Sequence, residues 1–408
     1  MGIFLGDTAP SKIFVGGDEV SSVRVWDTKV RPTFKERTFT ISWTEQSNMS
    51  SWWTYSDDAA WLTAGSTDFD EFFWYSAVRL NTSWVETAEV KQTTPWQLDF
   101  SQLGTLTSGD NVMIKFPRLW IKMSKSGSVV TLSITNRPDA EADGFQYYAH
   151  SRGTVSSPTK KDNLYIWAFE WINSSNVLKS WSWAAPAGSL AISTAIDYAR
   201  ANDGNSWSGG YDIVWYYQDR FIAALYMMKY WNPNCQDVVW KWYTEKVWGP
   251  MTNTGATVSE TAATYGTSSG TQPIKLFWLE NRWGNMHEWV WGACTNNNRY
   301  LYTALSWFYW GVTTSSPYEN TGTQLPQPSS WVTDLSSIVG NNKCLFSLAW
   351  AVANTSYNTY YCDNVFLRAS RTFYRGWYYN DRANAWIFYM NAQNSSSSST
   401  GARIMYLN

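Results

Sequence analysis

The sequence predicts an α+β protein made mostly of strands, and three observations carry that prediction. Short runs alternate apolar and polar residues, as in "RTFTISW", where Phe39, Ile41 and Trp43 share one side. Helical spacing is confined to two stretches between residues 189 and 231. Long connections rich in Gly, Ser, Asn and Thr separate short aromatic strands through the second half. At 408 residues, 44% hydrophobic and 16% charged, the chain can bury a large core and should divide into two or three compact units.

The elements follow in order. "KIFV" and "VSSVRVW" flank the Gly-rich "GGDE", which predicts one N-terminal β-hairpin within residues 1–35, and "DTKVRPTFKER" reads as a linker. From "RTFTISW" to "WQLDFSQL" the strand-and-turn texture predicts a small β domain over residues 36–105. Beyond it, "VVTLSIT", with Val130, Leu132 and Ile134 on one side, and "NLYIWAFEW" are strands. Ser189 is the expected N-cap of a helix over "LAISTAIDYARAN", whose Ile192, Ala195, Ile196 and Ala199 share a face and which stops at Gly204. A second helix is expected over "DIVWYYQDRFIAALYMMKYW", with Tyr217, Phe221, Leu225 and Met228 at helical spacing and "NPN" as its end. "GARIMYL" closes the chain as a strand. No segment of 20 to 50 residues recurs, which argues against solenoids and propellers.

Charge removes some classes of function. A net charge of −2, with no basic stripe among the aromatics, gives no field to gather phosphate backbones, so nucleic acid is not an expected partner. No window reaches the roughly 18 apolar residues of a membrane helix. The start "MGIFLGDTAPSKIF" has neither a Sec-type leader nor the myristoylation pattern, and membrane insertion is not expected.

Candidate chemistry is sparse. "GTSSG", Gly266 to Gly270, matches the nucleophile-elbow pattern around Ser268, with Glu280 and His287 as the available partners. The strand-like "PIKLFWL" after it is the wrong context for an elbow, which turns from a strand into a helix. "DAEADG", Asp139 to Gly144, has alternating oxygen ligands and a turn Gly, but His150 stands where a calcium loop needs its bidentate carboxylate. An acidic turn is the preferred reading there and calcium the alternative; no other cofactor is expected. His150 and His287 are the only histidines, so an iron triad or a zinc site would have to use both. Cys235, Cys294, Cys344 and Cys362 form no C-x-x-C and read as buried thiols.

The most specific short signal is "ENRWGNMHEWVWG", Glu280 to Gly292. It resembles the "GN-x-x-EW" segment of C-type-lectin-like domains of the formylglycine-generating-enzyme/sulfatase-modifying group. "GARIMYL" is similar to that group's closing strand, and the two helices with their Gly-containing turn resemble its helix pair, so the likeness spans residues 106–408. The resemblance implies a C-type-lectin-like domain over that range, with Trp283, Gly284, Asn285, Glu288 and Trp289 as a motif that holds the fold. Enzymes of the group use a cysteine pair near the last strand or a histidine cluster. Residues 371–408 contain neither.

The chain resembles instead the variable proteins of diversity-generating retroelements, which carry their diversified residues just before the final strand. Their vocabulary of Tyr, Ser, Asn and Asp fills "FYRGWYYNDRANAWIFYMNAQNSSSSSTG". Eight of the twenty residues from Arg371 to Met390 are aromatic. Aromatic anchors with adaptable polar neighbours make a recognition surface at low entropic cost. The expectation is a non-enzymatic ligand-binding protein with a variable region at about 371–400. Its binding face would be formed by Tyr374, Arg375, Trp377, Tyr378, Tyr379, Asn380, Asp381, Arg382, Tyr389, Asn391 and Asn394, with Phe373, Phe388 and Met390 turned inward and the loop Asn354–Asn364 beside it. The resemblance implies a protein or cell-surface receptor as ligand, display on a phage tail tip or bacterial surface, and a homotrimer. The alternatives are an oxidoreductase of the same fold group, using Cys344, Cys362 or His287 at a metal, and a phage structural protein without diversification.

Overall fold

A computed structural model of the chain describes residues 14–15, 18–19, 23–25, 28–30, 36–46, 53–92, 97–204, 210–239, 252–269, 271–305, 314–326, 333–346, 348–353, 361, 365–366, 369–376, 387–388, 390–392 and 400–407. The chain divides into two compact units, Met1–Arg37 and Thr38–Asn408. The first holds two short hairpins where the sequence predicts one. Phe14–Val15 pairs with Asp18–Glu19, and Val23–Val25 pairs with Thr28–Val30 inside the expected linker. Two residues separate the strands of each pair, Gly16–Gly17 in one and Trp26–Asp27 in the other, which is the tightest hairpin connection available.

The second unit is mixed α+β with three main sheets. In the four-stranded antiparallel sheet, Trp120–Ser126, Val129–Thr135, Thr38–Thr44 and Trp53–Asp57 lie side by side. Its register puts Phe39 opposite Ile134, Ile41 opposite Leu132 and Trp43 opposite Val130. All six are buried, so the predicted apolar face is the core face. The six-stranded antiparallel sheet runs Tyr211–Ile213, Ile404–Leu407, Asn163–Trp167, Asn111–Pro117, Ser76–Leu80, Glu86–Val90. Both sheets combine strands from before and after residue 105. The expected small domain at 36–105 is therefore not separate: Thr38–Thr44 has its longest partner in Val129–Thr135, and Ser76–Leu80 pairs with Asn111–Pro117.

The third sheet carries the C-terminal half. Its order is Glu319–Gln324, Tyr300–Thr303, His287–Thr295, Thr372–Arg375, Met390–Ala392, Val365–Phe366, and Thr400–Gly401 lies parallel against His287–Glu288. Every residue from His287 to Thr295 is buried, which accounts for the apolar stretch Trp289–Cys294 with no alternating polar face.

Three α-helices of six or more residues stand out among the described residues. α1 (Asp68–Phe73) puts Phe69, Phe72 and Phe73 in the core. α2 (Ile192–Arg200) buries Ala195, Ile196 and Ala199 on the expected face, and Gly204 in the left-handed region ends the turn after it. Its start differs from the expectation. Leu190 is held by its amide on the Thr400 carbonyl, 3.1 Å, and by the Trp289 indole on its own carbonyl, 2.8 Å. Ser189 consequently sits exposed at φ +59°, and Ala191 takes the capping position.

α3 (Tyr216–Tyr230) is the central pillar. The expected helix began at Asp212, but Tyr211–Ile213 is a strand on Ile404–Leu407, with Arg200 bonded to the Asp212 carboxylate at 2.9 Å. Tyr216 through Lys229 are all buried, polar residues included. Phe221 meets Phe116 of the six-stranded sheet edge-on at 5.9 Å, and the Tyr55 hydroxyl of the four-stranded sheet donates to the Met228 carbonyl at 2.7 Å. Trp231, in the left-handed region, ends the helix just before Pro233. Among the described residues most tryptophans go inward: Trp43, Trp167, Trp171, Trp215, Trp231, Trp278, Trp283, Trp289 and Trp291 are each at most 2% exposed. Each is worth about 2–3 kcal/mol of burial on the scale of large apolar side chains.

Candidate binding site

The C-terminal strands are fastened by charge as well as by packing. Asp219 on α3 lies within ion-pair distance of Arg220, Arg282 and Arg375, the last at 2.8 Å. Arg375, on Thr372–Arg375, also reaches Glu288, and Glu288 binds Arg403, ahead of the closing strand, at 3.0 Å. Arg403 donates as well to the carbonyls of Trp167, Phe169, Glu280 and Asn281. Arg375 donates to the Arg282 carbonyl at 2.6 Å.

All five of Asp219, Arg282, Glu288, Arg375 and Arg403 are at most 2% exposed. A buried charge is tolerable only when paired and hydrogen-bonded, and here the pairing ties α3, His287–Thr295, Thr372–Arg375 and the approach to the closing strand into one junction. Burial alone would raise the Asp219 carboxyl; Arg220, Arg282 and Arg375 overcome it and hold the group well below the usual carboxylate range. Burial and the neighbouring Arg282 push Arg375 down to about 9.

The "GN-x-x-EW" residues are the joints around this junction. Gly284 takes φ +74°, where a β-carbon is strained, and its amide donates to the Gly376 carbonyl at 2.7 Å. The Asn285 side chain accepts from the Thr252 amide at 3.1 Å and donates to Glu170. Glu288 carries the two arginines, Trp289 holds Leu190, and Trp283 is wholly buried. Gly401, paired with Glu288, leaves room for nothing larger, since a β-carbon there would lie 2.0 Å from the Trp171 ring.

This geometry corrects part of the expected binding face. Tyr374, Arg375 and Asn391 were placed on an exposed surface, and all three are buried. The cause is the sheet: Thr372–Arg375 lies between His287–Thr295 and Met390–Ala392, so both its edges are paired. The Tyr374 ring packs on His287 and Trp289, and its hydroxyl accepts from the Asn391 amide at 2.7 Å. Phe373, Phe388 and Met390 are buried as expected, and so is Ile387. Trp377, Tyr378, Tyr379, Asn380, Asp381, Arg382, Tyr389 and Asn394 lie outside the described residues, as does the loop Asn354–Asn364 except for Tyr361. The Tyr361 hydroxyl, buried, accepts from the Trp43 indole and donates to Glu45.

The other candidates resolve individually. Ser268 is exposed, in a loop closed by mutual amide–carbonyl bonds between Tyr265 and Lys275, so no strand-to-helix elbow presents it. Glu280 is occupied as the acceptor for Gly255 and Thr257. In Asp139–Gly144, Arg137 pairs with Asp139 and Asp143 and Lys160 with Glu141, so the carboxylates are already matched by cations. Burial lowers both His150 and His287 to about 3, keeping the rings neutral. Cys235, Cys294 and Cys344 are free and buried, and burial raises the Cys344 thiol; Cys362 lies outside the described residues. Among the described residues no group of three His, Cys, Asp or Glu is placed to hold a metal ion, and no helix is long and apolar enough to cross a membrane.

Sequence reasoning missed Asp219, Arg282 and Arg403 altogether. Two had a legible signal, since Asp219 in "YYQDRFIAAL" and Arg403 in "GARIMYL" are charges within largely apolar runs, whereas Arg282 in "ENRWGN" stands among other polar residues. Comparison with known protein families gives no match to this chain, and comparison with curated proteins gives no relative.

Proposed function

We propose that this chain is a ligand-binding protein with a C-type-lectin-like domain over residues 106–408, whose recognition surface is formed by the tract between Gly376 and Ile387 together with Tyr389 and Asn394. One observation carries the reading. Thr372–Arg375 and Met390–Ala392 are antiparallel neighbours, Phe373 opposite Ala392 and Tyr374 opposite Asn391, and both are buried at their junction with the rest of the fold. The ten residues 377–386 thus depart from and return to a fixed, buried frame. Their sequence, "WYYNDRANAW", is rich in the rigid aromatics and amides that suit recognition.

Such a division favours a binding role. A frame whose charges are all paired can hold its shape while the residues it carries vary. Substitution within 377–382 alters contacts with a partner, whereas substitution at Arg375 unbalances Asp219 and Glu288. The same reading gives the protein a protein or cell-surface receptor as ligand, a place on a phage tail tip or bacterial surface, homotrimeric assembly, diversification by a retroelement and no catalytic turnover.

The gene neighbourhood tests diversification. A reverse transcriptase gene and a near-copy of the segment encoding 371–400, differing mainly at adenines, are expected, and a neighbourhood with neither refutes it. Binding is tested with the triple replacement of Tyr378, Tyr379 and Asn380 by Ala. Loss of receptor-cell adhesion with the melting temperature unchanged supports the proposal, and loss of several degrees in melting temperature contradicts it.

A further inference from the structure

α1 and α3 meet through a buried pair of side chains that can react with each other. The Lys229 ammonium, in the last turn of α3, reaches both carboxylate oxygens of Asp70 on α1, at 2.7 and 2.6 Å. The two side chains are 5% and 3% exposed, and among the described residues no other lysine–carboxylate ion pair is buried on both sides. The nearest to it, Lys125 with Glu45, leaves its lysine 19% exposed. The buried pairs at Asp212, Asp219 and Glu288 are made by arginine, whose guanidinium does not give up its proton.

Aromatic rings surround the contact. The Lys229 ammonium lies 5.1 Å from the centre of the Tyr230 ring and 5.9 Å from that of Phe277, and Phe277 packs on Phe73 at 5.7 Å and on Tyr75 at 5.8 Å. The Tyr75 hydroxyl donates to Oδ1 of Asp70. Burial, and then Asp70 itself, raises this hydroxyl well above its ordinary range, so it stays a donor. An apolar shell penalises the separated charges, and passing one proton from Nζ to the carboxylate leaves an amine and an acid with no charge to bury.

We propose that Lys229 and Asp70 condense into an isopeptide bond that staples α3 to α1. Rotation of the carboxyl about Cβ–Cγ, with Tyr75 still bonded to Oδ1, turns the face of Cγ toward the neutral amine. The Nζ lone pair then forms the bond to Cγ, and the Tyr75 hydroxyl stabilises the negative charge that builds on Oδ1. The Cγ–Oδ2 bond breaks and Oδ2 leaves as water, carrying the proton it took from Lys229 and a second one from Nζ, while the amide keeps the third. No oxidant or cofactor enters the step. Holding the two groups in contact supplies the encounter that a bimolecular condensation lacks. The bond joins positions 159 residues apart in a chain whose Cys235, Cys294 and Cys344 are free, and a cross-link over so long a loop restricts the unfolded state. It uses no residue of the 371–400 segment and stands independently of the function proposed above.

The test is intact-mass spectrometry of the purified full chain followed by tryptic peptide mapping. The protein should be lighter than its sequence by one water molecule. The peptides containing Asp70 and Lys229 should appear joined, with trypsin failing to cut after Lys229, and Lys229→Met should show the full mass of its own sequence. Where that variant fails to fold, the joined peptide of the unaltered protein decides. A wild-type mass equal to that of the sequence, a water loss confined to the Asp70 peptide as a cyclic imide, or a loss that persists in Lys229→Met overturns the proposal.

Discussion

The junction around Asp219 and the hydroxyl face of the four-stranded sheet are both densely polar, and they use that polarity in opposite ways. At the junction every named charge is buried and matched, so the groups are spent on holding α3, His287–Thr295, Thr372–Arg375 and Arg403 together. On the sheet the hydroxyls pair across neighbouring strands, and Thr38, Ser42 and Thr131 are only partly buried. Paired charges deep inside fix geometry, whereas uncharged pairs nearer the surface can exchange a lost partner for water. The difference predicts that equivalent-sized changes will have very unequal costs.

The largest expected effect comes from breaking the junction. Arg403→Met leaves Glu288 with one cation fewer and strips four carbonyls of their donor, and loss of one partner of a buried pair costs about 3–5 kcal/mol. Urea unfolding should show the shift; a change below about 1 kcal/mol would mean the arginine contributes little beyond its volume.

Next comes acid. His150 and His287 have folded values near 3, well below the ordinary 6.5, so between those values the unfolded chain binds protons that the folded chain does not. Stability therefore falls as pH drops through this window, by about 1.4 kcal/mol per pH unit for each histidine. Unfolding midpoints measured at pH 6.5 and pH 5 should differ accordingly, and His150→Gln should remove about half of the difference. A stability profile flat across that range contradicts the burial of the rings.

The smallest effect belongs to the sheet. Thr40→Val breaks the buried pair with Ser133, but both residues line an open groove beside Asp57 and Lys122 where water can replace the lost partner, so the cost should stay below about 1 kcal/mol in the same urea assay. A loss as large as that at Arg403 would make the ladder structural.

How much of this was legible in sequence varies by residue. Strand faces were readable where burial is one-sided: the alternation of Phe39, Ile41 and Trp43, and of Val130, Leu132 and Ile134, gives the core face directly. α2 was readable for the same reason, apart from its start, which a tertiary bond at Leu190 moves past Ser189. α3 was readable as a helix from Tyr217, Phe221, Leu225 and Met228, but with all its faces buried the apolar pattern did not mark its start, so Tyr211–Ile213 was joined to it. The boundary at 105 failed because strand pairing between residues so far apart in sequence leaves no local mark. Tyr374, Arg375 and Asn391 were assigned outward because Tyr, Arg and Asn are the residues of recognition surfaces. Only their partners, Asn391 for Tyr374 and Asp219 with Glu288 for Arg375, reveal them as interior.

The central claim is that a rigid, charge-paired frame carries a substitutable recognition tract, and saturation mutagenesis of residues 371–400 in the full chain, sorted for folded display, tests it most directly. The account predicts broad tolerance at Trp377, Tyr378, Tyr379, Asn380, Asp381 and Arg382, with intolerance at Phe373, Arg375, Gly376, Phe388 and Met390. Equal intolerance across both sets would contradict it.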